Sequence, residues 1–108
     1  MEEYQWCKMN FHEAEALVLL FSASNYFLPS FLNKMSKLKV LIVFNYESKR
    51  ATVKGMPLLS SLAQLKTICL DRLIVPSLKE HSKVLQNLEK LYLSLCEGLG
   101  NMPRFNGI

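Results

Sequence analysis

"LKVLIVFNY", Leu38 to Tyr46, is the stretch on which the fold turns. Apolar residues stand at its first, fourth and sixth places, and a short tail follows. The same spelling recurs as "AEALVLLFS" from Ala14, "LKTICLDRL" from Leu65 and "LEKLYLSLC" from Leu88. The copies begin at 14, 38, 65 and 88, so they are spaced by 24, 27 and 23 residues. An apolar residue three places before another also suits a helix, so the period must be decided. The second step, Leu41 to Val43, is two residues, which is the alternation of a strand. "VLIVF" is β-branched and aromatic, which favours the same reading. Pro29, Pro57 and Pro76 fall between copies, where they punctuate the chain.

A repeat of 20 to 30 residues with this spelling is the signature of a leucine-rich repeat. Each copy supplies one short strand, and its remainder returns along the other side. A single copy cannot bury its inner face, so neighbours must stack. The fold class expected is α/β, a leucine-rich-repeat solenoid fragment of about four repeats. A short parallel sheet forms its concave face, with loops and short helices on the convex face. The inward set is Ala14, Leu17, Leu19; Leu38, Leu41, Val43; Leu65, Ile68, Leu70; and Leu88, Leu91, Leu93. The domain reading is an edge of a preceding repeat or cap over 1–13, repeats over 14–96, and a divergent or disordered tail over 97–108.

The return segments differ from one another. "LPSFLNKM", Leu28 to Met35, predicts a short helix with proline near its first turn and Phe31 and Met35 sharing a buried face. "ESKRATVKG", Glu47 to Gly55, is polar and reads as an exposed loop. "MPLLSSLAQL", Met56 to Leu65, resumes a helical pattern through Leu58, Leu59 and Leu62. "VPSL" from Val75 and "KEHSKVLQNL" from Lys79 lead back to the last strand.

The outward positions carry the functional signal. They read Ala16, Val18, Leu20; then Val40, Ile42, Phe44; then Thr67, Cys69, Asp71; then Lys90, Tyr92, Ser94. The face is apolar at one end and polar at the other, and a large exposed apolar patch marks an interface. The candidate partner surface is Val18, Leu20, Val40, Ile42, Phe44, Asp71 and Tyr92. The competing reading is that a partner strand or the N-terminal "YQWCKMNF" folds over the first two strands. Asp71 and Lys90 are expected to face each other across neighbouring strands.

Composition narrows the function classes. Half of the 108 residues are hydrophobic and a fifth charged, which suits one globular segment. The net charge is +4, but the 13 basic residues are scattered, and nucleic-acid binding needs them clustered. The three cysteines, Cys7, Cys69 and Cys96, are widely spaced with no C-x-x-C, so neither a disulfide scaffold nor a zinc site is expected. That fits a reducing, cytoplasmic setting. Eighteen uncharged residues from Ala16 to Asn33 reach the lower limit for a membrane span, yet "SASN" interrupts them, and no span is expected. His12 and His81 stand 69 residues apart, no G-x-S-x-G occurs, and the expectation is no enzyme, with no catalytic, cofactor or metal site. The open ends of such a stack predict marginal folding or self-association.

From Trp6 to Cys96 the chain resembles the repeat region of plant NLR disease-resistance receptors. It is most similar to the helper subclass with a powdery-mildew-resistance-type N-terminal domain, the activated disease resistance group. The resemblance lies in "AEALVLLFSASNYFLPSFLNKMSKLKVLIVFNY" and continues through "LAQLKTICLDRLIVPSL" and "LQNLEKLYLSLC". Leu20 departs from it, standing where the family usually has asparagine, and the pattern stops after Cys96. The resemblance implies a fragment of a longer immune receptor whose repeats form a protein-binding and autoinhibitory surface. Its implied partners are the family's own nucleotide-binding domain and lipase-like immune proteins. ADP or ATP is expected only in that nucleotide-binding domain, because this sequence contains no G-x-x-x-x-G-K-[ST]. The alternatives are a stand-alone adaptor-type repeat module and a non-functional remnant.

Overall fold

The computed structural model describes residues 12–75 and 87–97. Its strands are β1 (Ala16–Phe21), β2 (Asn25–Phe27), β3 (Val40–Asn45), β4 (Ala51–Lys54), β5 (Thr67–Asp71), β6 (Leu73–Ile74) and β7 (Lys90–Ser94). They form two sheets. One has four strands in the order β1-β3-β5-β7, and the other has three in the order β2-β4-β6. Every pairing is parallel.

The register follows the spelling. Ala16 pairs with Val40, Val40 with Thr67, and Thr67 with Lys90. Those partners are the second residues after each inward leucine or alanine, so like positions stand beside like positions. Alternation then assigns the faces. Leu41 and Val43 are buried at 0% and 1% exposure while Val40, Ile42 and Phe44 are half-buried. Across the sheet Leu19, Leu38, Leu41, Val43, Leu65, Ile68, Leu70, Leu88 and Leu91 are buried in one continuous core. Ala14, Leu17 and Leu93, also inward, are only partly buried because they lie at the two ends of the sheet.

The second sheet corrects the loop reading of Glu47 to Gly55. Ala51–Lys54 is a strand, with Ala51 and Val53 buried at 0% and 4%. It is held between Asn25–Phe27 and Leu73–Ile74. The polar letters around it are the solvent side of an alternating strand, and the two small apolar side chains are what pack. Glu97 extends this sheet by a parallel bridge to Ile74.

Two 3₁₀ helices, Ser30–Lys34 and Met56–Ser61, occupy the helical return segments. Their period is three, which changes the buried pair. Leu32 and Met35 are both fully buried, and Phe31 is only partly so. Backbone N–H groups of Leu32, Met35 and Leu38 donate in turn to the carbonyls of Pro29, Leu32 and Met35. The same staircase recurs at Leu62 and Leu65, which donate to Leu59 and Leu62. A 3₁₀ helix rises farther per residue than an α-helix, and side chains three apart align. One buried residue in three therefore carries the chain from the returning side into the next strand. Gly55 starts the second helix at φ 91°, a left-handed backbone that glycine adopts without a Cβ clash. The limb from Pro76 onward, most of "KEHSKVLQNL", the N-terminal "YQWCKMNF" and the tail over 98–108 lie outside the described residues.

Candidate functional site

The register builds the outward face as three ladders across the larger sheet. Ala16, Val40, Thr67 and Lys90 form the first ladder; Val18, Ile42, Cys69 and Tyr92 the second; and Leu20, Phe44, Asp71 and Ser94 the third. All seven candidate surface residues lie on these ladders. Val18, Leu20 and Tyr92 are the most open, at 51%, 44% and 51% exposure. Val40, Ile42, Phe44 and Asp71 are half-buried because a strand flanks them on both sides.

A shallow depression of about 300 Å³ lies over β3, β5 and β7, lined outwardly by Ile42, Phe44, Cys69, Asp71, Tyr92 and Ser94. Phe44 packs edge-on against Tyr46 with ring centroids 5.3 Å apart. Asp71 does not meet Lys90. The register sets Asp71 beside Ser94 and Lys90 beside Thr67, a whole strand's length away. The carboxylate of Asp71 instead stands 3.8 Å from the guanidinium of its neighbour Arg72. Burial raises the Cys69 thiol above its ordinary pKa, which lowers its thiolate fraction and its reactivity. Cys96, the second free cysteine described, turns its thiol toward the carbonyls of Leu70 and Ser94 at 3.5 Å.

The rims of the sheet are ionic. Glu13 bridges Lys37 at 2.7 Å and Glu15 bridges Lys39 at 3.2 Å. The hydrogen bond and charge of Lys37 hold the Glu13 carboxyl below its ordinary pKa, and Glu13 in turn raises Lys37. At the opposite rim Arg50 bridges Glu97 at 2.9 Å and donates to the carbonyl of Leu95 at 2.7 Å.

Asn45 is the residue that sequence reasoning missed. It is the one buried polar side chain among the described residues, and it sits at the inward end of β3 beside Phe21. Its amide donates to the carbonyls of Lys49 at 3.0 Å and Arg72 at 3.1 Å, and its side-chain oxygen accepts from Glu47 N–H at 3.0 Å. The last bond closes an Asx turn. The copy that contains Asn45 is the 27-residue one, and the turn holds its extra residues. The signal for this was a polar residue on the inward parity of an otherwise apolar strand.

Among the described residues no group of three His, Cys, Asp or Glu is placed to hold a metal ion. No helix among them is long and apolar enough to cross a membrane. The architecture of the described residues is thus an α/β fold with two parallel sheets, presenting an extended surface with a shallow depression.

No family model matches the chain. Ninety-seven residues, 90% of the chain, are 40% identical to Probable disease resistance protein At4g33300 of Arabidopsis thaliana. The same length is 39% identical to Disease resistance protein ADR1 of that plant. Another relative, Probable disease resistance protein At5g66890, is 40% identical over 91 residues. The chain spans 12% of the length of the first two and 22% of the third. Identity at this level over nearly the whole chain makes it a homologue of a segment of plant disease resistance proteins.

Proposed function

We propose that this chain is a leucine-rich-repeat segment of a plant NLR immune receptor of the helper subclass. Its outward sheet face is a protein-binding and autoinhibitory surface. Each of the four ladder strands is the strand of one repeat, and the 3₁₀ helices and the smaller sheet are the return limbs. The observation that carries the reading is the parallel ladder of like positions, which aligns Val18, Ile42, Cys69 and Tyr92 in one row. Aligned rows on parallel strands make a surface for a partner, and exposed apolar rows fit a protein partner. The similarity to disease resistance proteins supports the same assignment. The partner proposed is the nucleotide-binding domain of the receptor, in the cytoplasm, with lipase-like immune proteins as further partners. ADP or ATP is bound by that domain and not by this segment.

The test is calorimetric titration of the chain with the isolated nucleotide-binding domain of an NLR receptor of the helper subclass. Saturable binding is expected, weakened about tenfold or more by Phe44→Asp, as for a residue central to an interface. Circular dichroism checks that the variant stays folded. No binding, or equal binding by parent and variant, refutes the assignment.

A further inference from the structure

The two ends of the larger sheet are complementary to each other. Among the described residues β1 is paired on one side only, with β3, and β7 on one side only, with β5. In a parallel pair, alternate residues direct both backbone N–H and C=O to the same neighbour. At β1 the carbonyls of Glu15 and Phe21 accept from Val40 and Tyr46 of the β3 segment. Odd residues of β1 therefore face inward along the sheet, and Ala16, Val18 and Leu20 direct their N–H groups to the open edge. At β7 Lys90 donates to Lys66, and Ser94 accepts from Arg72. Even residues of β7 therefore face β5, and the carbonyls of Glu89, Leu91 and Leu93 point to the opposite open edge.

Inside the sheet the same step joins one strand to the next. The carbonyl of Glu15 takes two N–H groups, from Lys39 and Val40. That of Lys39 takes those of Lys66 and Thr67, and that of Lys66 takes those of Glu89 and Lys90. Glu89 is next in this series, and Glu15 and Ala16 supply the matching donors. The side chains match as well. Leu17 and Leu93 are inward residues left partly buried at the two ends. Val18, Leu20 and Tyr92 are exposed there.

We propose that the chain associates head to tail with a second copy of itself, the β7 edge of one pairing in parallel with the β1 edge of the next. The register is the internal one, with Lys90 beside Ala16 of the second copy. Leu91 and Leu93 then meet Leu17 and Leu19, and Tyr92 lies beside Val18. In the smaller sheet Glu97 continues the row of Asn25, Thr52 and Ile74, so it falls beside Asn25 of the next copy. Among the described residues the one unfavourable pair is Glu89 against Glu15, whose carboxylate already has Lys39 at 3.2 Å. The joint is heterologous and uses different edges on each copy, so it builds an open series of oligomers and not a closed dimer. Unpaired edges template such pairing by their backbone groups.

Sedimentation velocity of the purified chain over a wide concentration range tests this. The expected result is a ladder of species growing with concentration. Val18→Pro removes one edge N–H without touching a β1–β3 bond and is expected to raise the association concentration about tenfold. Ala16 is exposed, so its variants leave the fold alone. Ala16→Lys sets like charges opposite Lys90 and weakens association, and Ala16→Glu strengthens it. The Ala16 pair decides the matter if Val18→Pro fails to fold. A monomer at every concentration overturns the proposal, as does association that both Ala16 variants leave unchanged.

Discussion

Replacing Asn45 tests the role of the one buried amide among the described residues in holding the long copy of the repeated spelling. In Asn45→Ala three hydrogen bonds disappear, two donated by the amide and one accepted from Glu47. The losses are unequal. The carbonyl of Arg72 keeps the N–H of Ala51 at 3.0 Å, and Lys49 is exposed, so water reaches its carbonyl. Taking each net hydrogen bond at about 0.5–1.5 kcal/mol, the expected cost is about 2 kcal/mol. Asn45→Asp is the sharper probe. It keeps the acceptor for Glu47 but presents an oxygen where the amide nitrogen met two carbonyl oxygens. At neutral pH it is a buried charge among acceptors, and its loss exceeds that of alanine. Burial and the facing carbonyls raise the folded pKa of this new carboxyl above its unfolded value of about 3.9. The folded state then holds the proton more tightly, so the deficit is smallest below the unfolded pKa and grows as pH rises toward the folded one. Urea unfolding of parent, alanine and aspartate variants at pH 7 and near pH 4 reads this directly. Equal aspartate deficits at the two pH values, or an alanine cost within about 0.5 kcal/mol of zero, would refute the reasoning.

Leu41→Asp is expected to unfold the chain, because Leu41 is fully buried at the centre of the core, whereas Tyr92→Ala should leave the melt unchanged. Comparable destabilisation by both, read by circular dichroism, would mean that the two faces are wrongly assigned. Leu95 holds φ 56° and is 57% exposed, so Leu95→Gly relieves left-handed strain at small cost in burial. A gain of up to about 1 kcal/mol in urea unfolding is expected. Glu13 is depressed by Lys37, so its contribution is present above the unfolded pKa and is lost as pH falls through the lower folded one. Its carboxyl carbon followed by NMR should titrate below the ordinary 4.5, and Lys37→Met should return it toward that value.

The larger sheet was legible because its strands are five or six residues long and their inward pairs are uniformly branched aliphatics. Those pairs are Leu17 and Leu19, Leu41 and Val43, Ile68 and Leu70, and Leu91 and Leu93. A period of two needs several turns of the pattern to be seen. The strands of the smaller sheet have three, four and two residues, and each offers at most two inward side chains. Ala51 and Val53 are modest members of a polar stretch, so "ESKRATVKG" reads like a loop. What makes it a strand is its neighbours, Asn25–Phe27 and Leu73–Ile74, and one chain segment does not display its neighbours. The helical limbs failed differently. Phe31 and Met35 suit a period of four, and Leu32 and Met35 a period of three, within the same eight letters. The hydrogen-bond staircase chose three because each turn must end on a residue already committed to the core.

Asp71 shows why the surface was less legible than the core. Outward positions are assigned by parity, which the core fixes, but their partners are assigned by register. Asp71 and Lys90 share a face, yet parallel strands in like register always bring the last residue of one strand to the last of the next. An ion pair between a strand's end and its neighbour's beginning would need a slip of four residues, which would take Leu70 and Leu93 out of their shared row. Burying those leucines is worth far more than a surface pair of under about 1 kcal/mol. The core therefore decides which surface residues can meet, and the rows Val18 to Tyr92 and Leu20 to Ser94 are its consequence. The face is thus a graded strip, apolar at β1 and polar at β7, in which the core's register fixes which positions are neighbours.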